Sequence, residues 1–224
     1  MKRILDEKIK FYNDLQSGSR RWVVEALNKE GISVLDGFIE NISIVSEFYN
    51  KYYNLDTDRI VLCGINPGRK GAGKTGIPFI DFKSLSYMLD SVTSNDSEES
   101  AQFVYDIISY FGAKNFYNKV YLTNISWFGF LEDGKKNCNY YELSERIIGE
   151  FISGFISEMN IVKPISIIPL GEKVEEDLKK MVRQGRLKYK VEQRLNHPYY
   201  CSFRSRRNEA RTQYISSIKR FFPD

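Results

Sequence analysis

Apolar residues are spaced in two ways along this chain, and the two spacings predict different elements. Apolar residues at helical spacing predict helices at 4–15, 22–27, 35–53, 82–92, 101–111, 142–159, 172–182 and 208–221. Continuous apolar runs between turn-forming residues predict buried strands at 60–64, 120–125 and 165–170. A stretch of alternating character predicts a fourth strand at 188–195.

The order of these elements predicts the fold class. Because helices separate the strands, consecutive strands must pair in parallel through crossover connections. We therefore predict an α/β fold of three layers, α/β/α, around a four-stranded, mostly parallel central sheet. Residues 1–224 are expected to form a single domain in which helices at about 1–54 cover the sheet.

Composition narrows the class of protein. A chain of 224 residues that is 42% hydrophobic can bury a full core without disulfides or metals. Its three cysteines are scattered and odd in number, which favours a reducing compartment over a disulfide or zinc framework. No apolar run has membrane-span length, and the first residues are charged. We expect a cytoplasmic monomer that needs neither metal nor cofactor and contacts no membrane.

Charge is distributed unevenly although the net charge is only +4. Between Lys179 and Arg211 the chain carries eleven Lys or Arg residues and two Glu residues. This segment is either a solvated basic surface or a surface that binds phosphates.

The most unusual stretch runs from Arg59 to Phe82 and follows the first predicted strand. Glycines and prolines crowd it, so its backbone can approach a flat or anionic ligand closely. Asn66 stands at the carboxyl end of the strand, which is where open α/β sheets bind ligands. The special residues are Gly64, Pro67, Gly68, Gly71, Gly73, Gly76 and Pro78.

Part of this stretch fits a nucleotide-binding motif. The segment G-R-K-G-A-G-K-T at 68–75 satisfies the P-loop pattern G-x-x-x-x-G-K-[ST]. Gly76 and Pro78 disfavour the helix that should follow Thr75, and no other predicted strand ends in an Asp for magnesium. Nucleotide binding is therefore the weaker alternative.

The same residues resemble another family more completely. G-I-N-P-G followed by T-G-I-P-F resembles the first motif of the uracil-DNA glycosylase superfamily, in particular of the single-strand-selective monofunctional uracil-DNA glycosylases. Y-L-T-N-I around Asn124, I-S-I-I-P-L-G at 165–171 and N-H-P at 196–198 are similar to later motifs of that family, in the same order. The resemblance spans about 45–220. It implies an enzyme that flips uracil, or a related deaminated or oxidised base, out of DNA and hydrolyses its N-glycosidic bond in base excision repair.

The resemblance also implies roles for single residues. Asn66 would position the attacking water, and His197, the only histidine, would donate a hydrogen bond to uracil O2. Phe79 would stack under the base and Asn124 would read its edge. Ile65, Pro67 and Gly68 would complete the base-binding wall. Taken alone, each of these residue types is more often structural, as a turn former or as part of the core.

The chain departs from the family after Pro198, where the family expects S-P-R and this chain has Y-Y-C-S-F-R-S-R-R. Bulky side chains there could wedge into the gap that a flipped base leaves, and arginines could neutralise phosphates. The predicted wedge residues are Tyr199, Tyr200 and Phe203, and the predicted phosphate contacts are Arg204, Arg206 and Arg207.

Three further departures concern the predicted pocket. Ser126 and Trp127 replace the family's Cys-Pro, which is expected to alter the pocket wall near the base. Arg69 and Lys70 replace an apolar pair and make the rim more basic. Asp81 is expected to cap a helix, with assistance to the attacking water as the alternative.

A rival function belongs to another class: a non-catalytic protein of the same fold that recognises damaged DNA. Such a binder would keep Phe79 and the basic segment but would need neither Asn66 nor His197. DNA binding without base release would identify it.

Overall fold

A computed structural model describes residues 2–222 of the protein. Within these residues, six short strands form two separate sheets. In chain order the strands are β1 (Ile32–Val34), β2 (Ile60–Gly64), β3 (Val120–Asn124), β4 (Phe130–Glu132), β5 (Lys136–Cys138) and β6 (Ile167–Pro169).

Helices cover both sheets, and within 2–222 none is long and apolar enough to span a membrane. In the first half of the chain they are α1 (Lys2–Ser17), α2 (Arg21–Lys29), α3 (Gly37–Glu40), α4 (Ile42–Tyr52), α5 (Ala72–Thr75), α6 (Phe82–Ser86) and α7 (Glu99–Phe111). The rest are α8 (Ala113–Lys119), α9 (Glu145–Val162), α10 (Glu172–Arg183), α11 (Pro198–Ser202) and α12 (Arg207–Lys219), with a 3-10 turn at Tyr140–Glu142.

The central sheet is parallel, which confirms the α/β class. Its strand order is β3-β2-β6, so β2 lies in the middle. Every residue of β2 and β3 is buried, as expected for parallel strands covered on both faces. Gly64 pairs with Asn124 at the carboxyl ends of the two strands.

The prediction of a fourth regular strand at 188–195 was wrong. Residues 188–195 run parallel to β6 but pair with it only through two isolated bridges, Ile167 with Val191 and Leu170 with Leu195. Pro169 stands between these bridges and has no N–H to donate, so the ladder cannot continue through it. The pairing shifts by one residue across Pro169, and the regular sheet has three strands.

The second sheet was not predicted. It is antiparallel with strand order β1-β4-β5, and its three-residue strands are too short to show alternation. The β4–β5 hairpin turns at Asp133 and Gly134, whose φ values are 50° and 66°. Asp-Gly is a preferred hairpin turn, so this dipeptide was the available signal.

Several helix predictions need shorter bounds. The predicted helix 35–53 is two helices, α3 and α4, separated at Asn41. Only 82–86 of the predicted helix 82–92 is helical. Helices α5, α8 and α11 were not predicted, because elements of four to seven residues show little periodicity.

The N-terminal helix is tied to the core by a buried ion pair. Lys8 Nζ lies 2.8 Å from Glu158 Oε1, and both side chains are almost inaccessible to solvent. The Glu158 carboxylate also accepts hydrogen bonds from Tyr121, Thr123 and Trp127 at 2.7–3.0 Å. Burial lowers the pKa of Lys8, but the Glu158 carboxylate and the Tyr49 hydroxyl together raise it by more, so the ammonium stays charged. Helix α1 is thereby joined to α9 and β3.

We predict that Lys8→Met destabilises the protein by about 3–5 kcal/mol, because it leaves the Glu158 charge buried without its partner. Urea unfolding followed by circular dichroism measures the change. Lys136→Met is the control, since Lys136 pairs with Glu132 on the exposed surface and its loss should not change the unfolding midpoint. Equal, small effects of both substitutions would contradict this account of the pair.

Candidate active site

A cavity of about 460 Å³ opens at the carboxyl ends of β2 and β3. The residues predicted for catalysis and base binding all line it, although they come from four distant parts of the chain. These residues are Ile65, Asn66, Pro67, Gly68, Phe79, Asn124 and His197. Tyr199, Arg69 and Lys70 also border the cavity.

The inner end of the cavity depends on the missing side chain of Gly64. A Cβ atom built there would lie under 3.0 Å from both Phe79 Cζ and Asn124 Oδ1, a contact that real Cβ atoms do not make. Glycine therefore lets the ring and the amide share this space. Phe79 adopts φ = 60°, in the left-handed region that is costly for a bulky residue.

Asn124 presents a free amide to the cavity. Its backbone is fixed at the end of β3, where the next residue, Ile125, donates an N–H to Gly64 O at 3.0 Å. The residue is only 3% exposed, yet its side chain has no hydrogen-bond partner within 2–222. The buried side-chain polar atoms without a partner among the described residues are the Tyr117 and Tyr189 hydroxyls, so the Asn124 amide is accessible from the cavity and available to a polar ligand.

Asn66 is held in one orientation by backbone groups. Its Oδ1 accepts the N–H of Tyr140 at 3.0 Å, and its Nδ2 donates to Cys138 O at 3.4 Å and Pro67 O at 3.3 Å. These bonds join the end of β2 to the end of the β4–β5 hairpin. The amide oxygen retains a second lone pair that can accept a hydrogen bond from water.

His197 is the N-cap of α11 and is partly buried. Its Nδ1 accepts the backbone N–H of Tyr199 at 3.2 Å, so in the neutral ring the proton is on Nε2. The preceding residue is held by Tyr214, whose hydroxyl donates to Asn196 O at 2.6 Å. His197 thus offers one N–H donor at the cavity.

Electrostatics favour the neutral form of this imidazole. Burial lowers the pKa of His197 below its usual 6.5, and the nearby Glu98 carboxylate partly opposes the shift. The ring is therefore largely uncharged at neutral pH. A neutral N–H donor can stabilise negative charge that develops on a bound ring.

Four polar lining residues were not predicted: Glu98, Ser100, Asn137 and Asn139. Glu98 and Ser100 lie at the start of α7, within 93–100, which the sequence predicts only as a polar loop. Asn137 lies in β5 and Asn139 directly follows it, so both were missed together with the β4–β5 hairpin. Asn137 Oδ1 accepts the backbone N–H of Arg69 at 3.1 Å and so ties the hairpin to the glycine-rich segment.

Asp81 caps a helix, as expected. Its Oδ1 accepts the N–H of Ser84 at 2.8 Å, and its Oδ2 accepts the N–H of Glu98 at 2.7 Å and an Nε2 bond from Gln102 at 2.9 Å. The side chain is fully buried and does not line the cavity. Assistance to a water in the cavity has no support in this geometry.

Ser126 and Trp127 were expected to alter the pocket wall, and this expectation is corrected. Neither residue lines the cavity. Ser126 Oγ donates to Phe128 O at 2.7 Å, and Trp127 donates to Glu158 at 3.0 Å. Ser126 is buried, and Trp127 is partly buried against the core.

The predicted wedge is exposed beside the cavity. Tyr199, Tyr200 and Phe203 are 54%, 45% and 47% exposed, which is unusual for aromatic side chains so close together. Tyr199 and Phe203 pack edge to face with ring centres 5.3 Å apart. The Arg206 guanidinium lies 3.8 Å from the Tyr200 ring centre.

The three arginines predicted to contact phosphate differ in their surroundings. Arg204 and Arg206 are exposed. Arg207 Nε instead donates to Asp106 on α7 at 3.0 Å, and its other nitrogens reach the carbonyl oxygens of Gln102 and Ser202. Arg207 therefore attaches the segment after His197 to α7, and its predicted role as a phosphate contact is corrected.

The geometry of residues 68–75 does not support the P-loop alternative. The Thr75 hydroxyl is fully buried and donates to Ile80 O at 2.7 Å, so it is not available to a metal ion. Lys74 pairs with Asp96 at the surface. Helix α5, which contains both residues, has only one turn.

Comparisons with known proteins find a matching family model and similar solved structures. The family model described as the uracil DNA glycosylase superfamily matches residues 50–220. The crystal structure of wild-type Pedobacter heparinus SMUG2 is similar to this chain, with a TM-score of 0.76 and 32% sequence identity. The similarity covers 87% of this chain and 90% of that chain. No curated protein sequence matches.

We predict that the single imidazole titrates with a pKa below 6.5 in the folded protein, because burial disfavours its charged form. Proton NMR of the ring measures this directly, since the chain has one histidine. The unfolded chain then binds more protons than the folded one just below pH 6.5. The neutral His197 ring therefore makes its full contribution to the free energy of unfolding above pH 6.5. That contribution is lost as the pH falls through the lowered pKa. A folded-state pKa above 6.5 would contradict the assignment.

Proposed function

Because the chain belongs to the uracil DNA glycosylase superfamily, we propose that it is a monofunctional glycosylase of the single-strand-selective type. Its substrate is uracil, or a related deaminated or oxidised base, in single- or double-stranded DNA. It leaves an abasic site for base excision repair. The observation that carries the proposal is the convergence of Asn66, Phe79, Asn124 and His197 on one cavity.

Base recognition uses the two groups that meet over Gly64. The Phe79 ring provides the stacking surface for a flat base. The free Asn124 amide can donate to one polar atom of a uracil edge and accept from the neighbouring imide N–H. Cytosine presents the reverse pattern and would leave the amide mispaired, at a cost of about 1–3 kcal/mol. Ile65, Pro67 and Gly68 bound the rest of the base site.

Bond cleavage depends on stabilising the leaving base. As the N-glycosidic bond lengthens, negative charge collects on the base and positive charge on the sugar. The His197 Nε2–H donates to the base oxygen, an interaction of the kind typically worth about 3–4 kcal/mol of the barrier. Asn66, already fixed by Tyr140, accepts a hydrogen bond from the attacking water and aims it at the sugar.

Base extrusion uses the exposed segment after His197. Tyr199, Tyr200 and Phe203 fill the gap in the stack, which costs a few kcal/mol to open. Arg204 and Arg206 contact flanking phosphates, and Arg69 and Lys70 add positive charge at the rim, so binding should weaken with salt. We propose that one domain, residues 1–224, performs these steps as a cytoplasmic monomer without metal or cofactor.

We predict release of free uracil from uracil-containing oligonucleotides in the presence of EDTA. Asn66→Ala and His197→Ala should each lower the single-turnover rate by about 100-fold or more, because each removes a group that acts at the reacting bond. Chromatography of the released base and alkaline cleavage at the abasic site measure both points. DNA affinity should change little in either variant.

The outcomes separate the candidate functions. Binding to damaged DNA without base release would favour the non-catalytic alternative. Release at wild-type rates by either variant would overturn the role given to that residue. Single- and double-stranded substrates with uracil, hydroxymethyluracil or xanthine define which base is preferred.

We predict that Gly64→Ala impairs base release more than it impairs folding. The added methyl group must displace the Phe79 ring or the Asn124 amide, which are both side-chain ends able to move. The KM for uracil-containing DNA should rise and the rate should fall, whereas the unfolding midpoint should change modestly. Gly149→Ala is the matched control, because a Cβ there meets no atom within 4 Å. Unchanged kinetics in Gly64→Ala would contradict the shared-space account.

A further inference from the structure

Hydrolysis at this site needs a group that can take a proton, and the residues assigned so far do not supply one. The water oxygen bonds to sugar C1′ while the bond from C1′ to the base nitrogen breaks and its electron pair leaves with the base. One water proton must then pass to an acceptor. Asn66 is an amide, so it can accept a hydrogen bond but not a proton at neutral pH.

His197 is also unsuited to this step. Its Nδ1 already accepts the Tyr199 N–H, and its Nε2 carries the proton that the leaving base requires. Lys70 and Arg69, which line the same cavity, are cations and have no lone pair to offer. A proton acceptor must therefore come from another residue that lines the cavity.

Glu98 is the only carboxylate among the described residues that line the cavity. We propose that Glu98 is a further catalytic residue, which accepts the proton of the attacking water and then releases it to solvent. This assignment rests on the proposed glycosylase function. It also gives the cavity a negative charge that can stabilise the positive charge developing on the sugar.

The carboxylate is held firmly but keeps free lone pairs. Glu98 Oε2 accepts the N–H of Ala101 at 2.9 Å, and Oε1 accepts the Ser100 hydroxyl at 2.9 Å. A carboxylate has about four acceptor positions, so roughly two remain for water. The backbone of Glu98 is fixed as well, by its N–H bond to the buried Asp81.

The surroundings leave room for this group at the cavity. A Cβ atom at Gly71 would lie 3.3 Å from Glu98 Oε2, so the glycine leaves that side of the carboxylate uncrowded. Glu98 also interacts electrostatically with His197. Of the other charged groups considered, Arg69 and Lys70 line the rim of the cavity, whereas the Arg207–Asp106 pair joins the wedge segment to α7 and does not line it. Asp106 is already neutralised by Arg207, which leaves Glu98 as the acid that faces the cavity.

The test compares Glu98→Gln with wild type in single-turnover base release across about pH 5 to 9. The Gln oxygen can still cap Ala101, but it cannot take a proton. The rate at neutral pH should fall about 100-fold or more. Affinity for an oligonucleotide carrying an abasic-site analogue should stay unchanged. Thermal unfolding confirms that the variant is folded.

Two further variants separate catalysis from helix capping. Glu98→Asp keeps the charge and the cap with a shorter reach, so it should recover part of the rate. Glu99→Gln removes the same charge from the exposed neighbouring residue and should leave the rate unchanged. If Glu98→Gln stays within about threefold of wild type at every pH, the proposal is overturned.

A readout that needs no activity completes the experiment. In Glu98→Gln the NMR pKa of His197 should fall below its wild-type value, because the opposing carboxylate is gone. An unchanged value would show that Glu98 does not face the imidazole and would overturn the proposal. Wild-type protein that releases no base would overturn the glycosylase function itself. Active wild type with an unimpaired Glu98→Gln would overturn only the role of Glu98.

Discussion

The absence of a side chain at Gly64 is the constraint on which the site depends. This glycine ends the central strand β2 and pairs directly with Asn124 on β3. The Phe79 ring and the Asn124 amide both occupy space that any other residue at position 64 would fill. The ring proposed to stack on the base and the amide proposed to read it are therefore positioned by one backbone contact between two fully buried strands.

The remaining site residues are brought to Gly64 by two different irregularities. The β4–β5 hairpin, which belongs to the small antiparallel sheet, ends beside Asn66 and holds its amide through Tyr140 and Cys138. On the other side, Pro169 interrupts the ladder, and the edge segment 188–195 shifts by one residue before it reaches His197. Regular strands supply Asn124, whereas a hairpin end and a register shift orient Asn66 and His197.

This division explains how much could be predicted from the sequence. Buried parallel strands are apolar runs, so β2, β3 and the polar residues at their ends were visible, and motif order joined them to Phe79 and His197. The three-residue strands of the second sheet carry too few positions for a pattern. Glu98 was hidden because a carboxylate in a polar loop has no periodic signal. Arg207 was read as a phosphate contact because its partner, Asp106, is a hundred residues away and becomes its neighbour only in the folded chain.

Parts of the site oppose folding. The N-terminal helices help to offset this unfavourable free energy. Phe79, a bulky residue in the left-handed region, opposes folding by about 1–3 kcal/mol, and below pH 6.5 the partly buried imidazole of His197 adds a further cost. Interactions elsewhere must offset that cost without entering the cavity. The Glu158 network does so on the side chains of β3 and α9, and it needs Lys8 from α1 to neutralise its buried charge. Because Thr123 in that network directly precedes Asn124, a helix with no residue in the cavity helps to hold the strand end that carries the proposed base-reading amide.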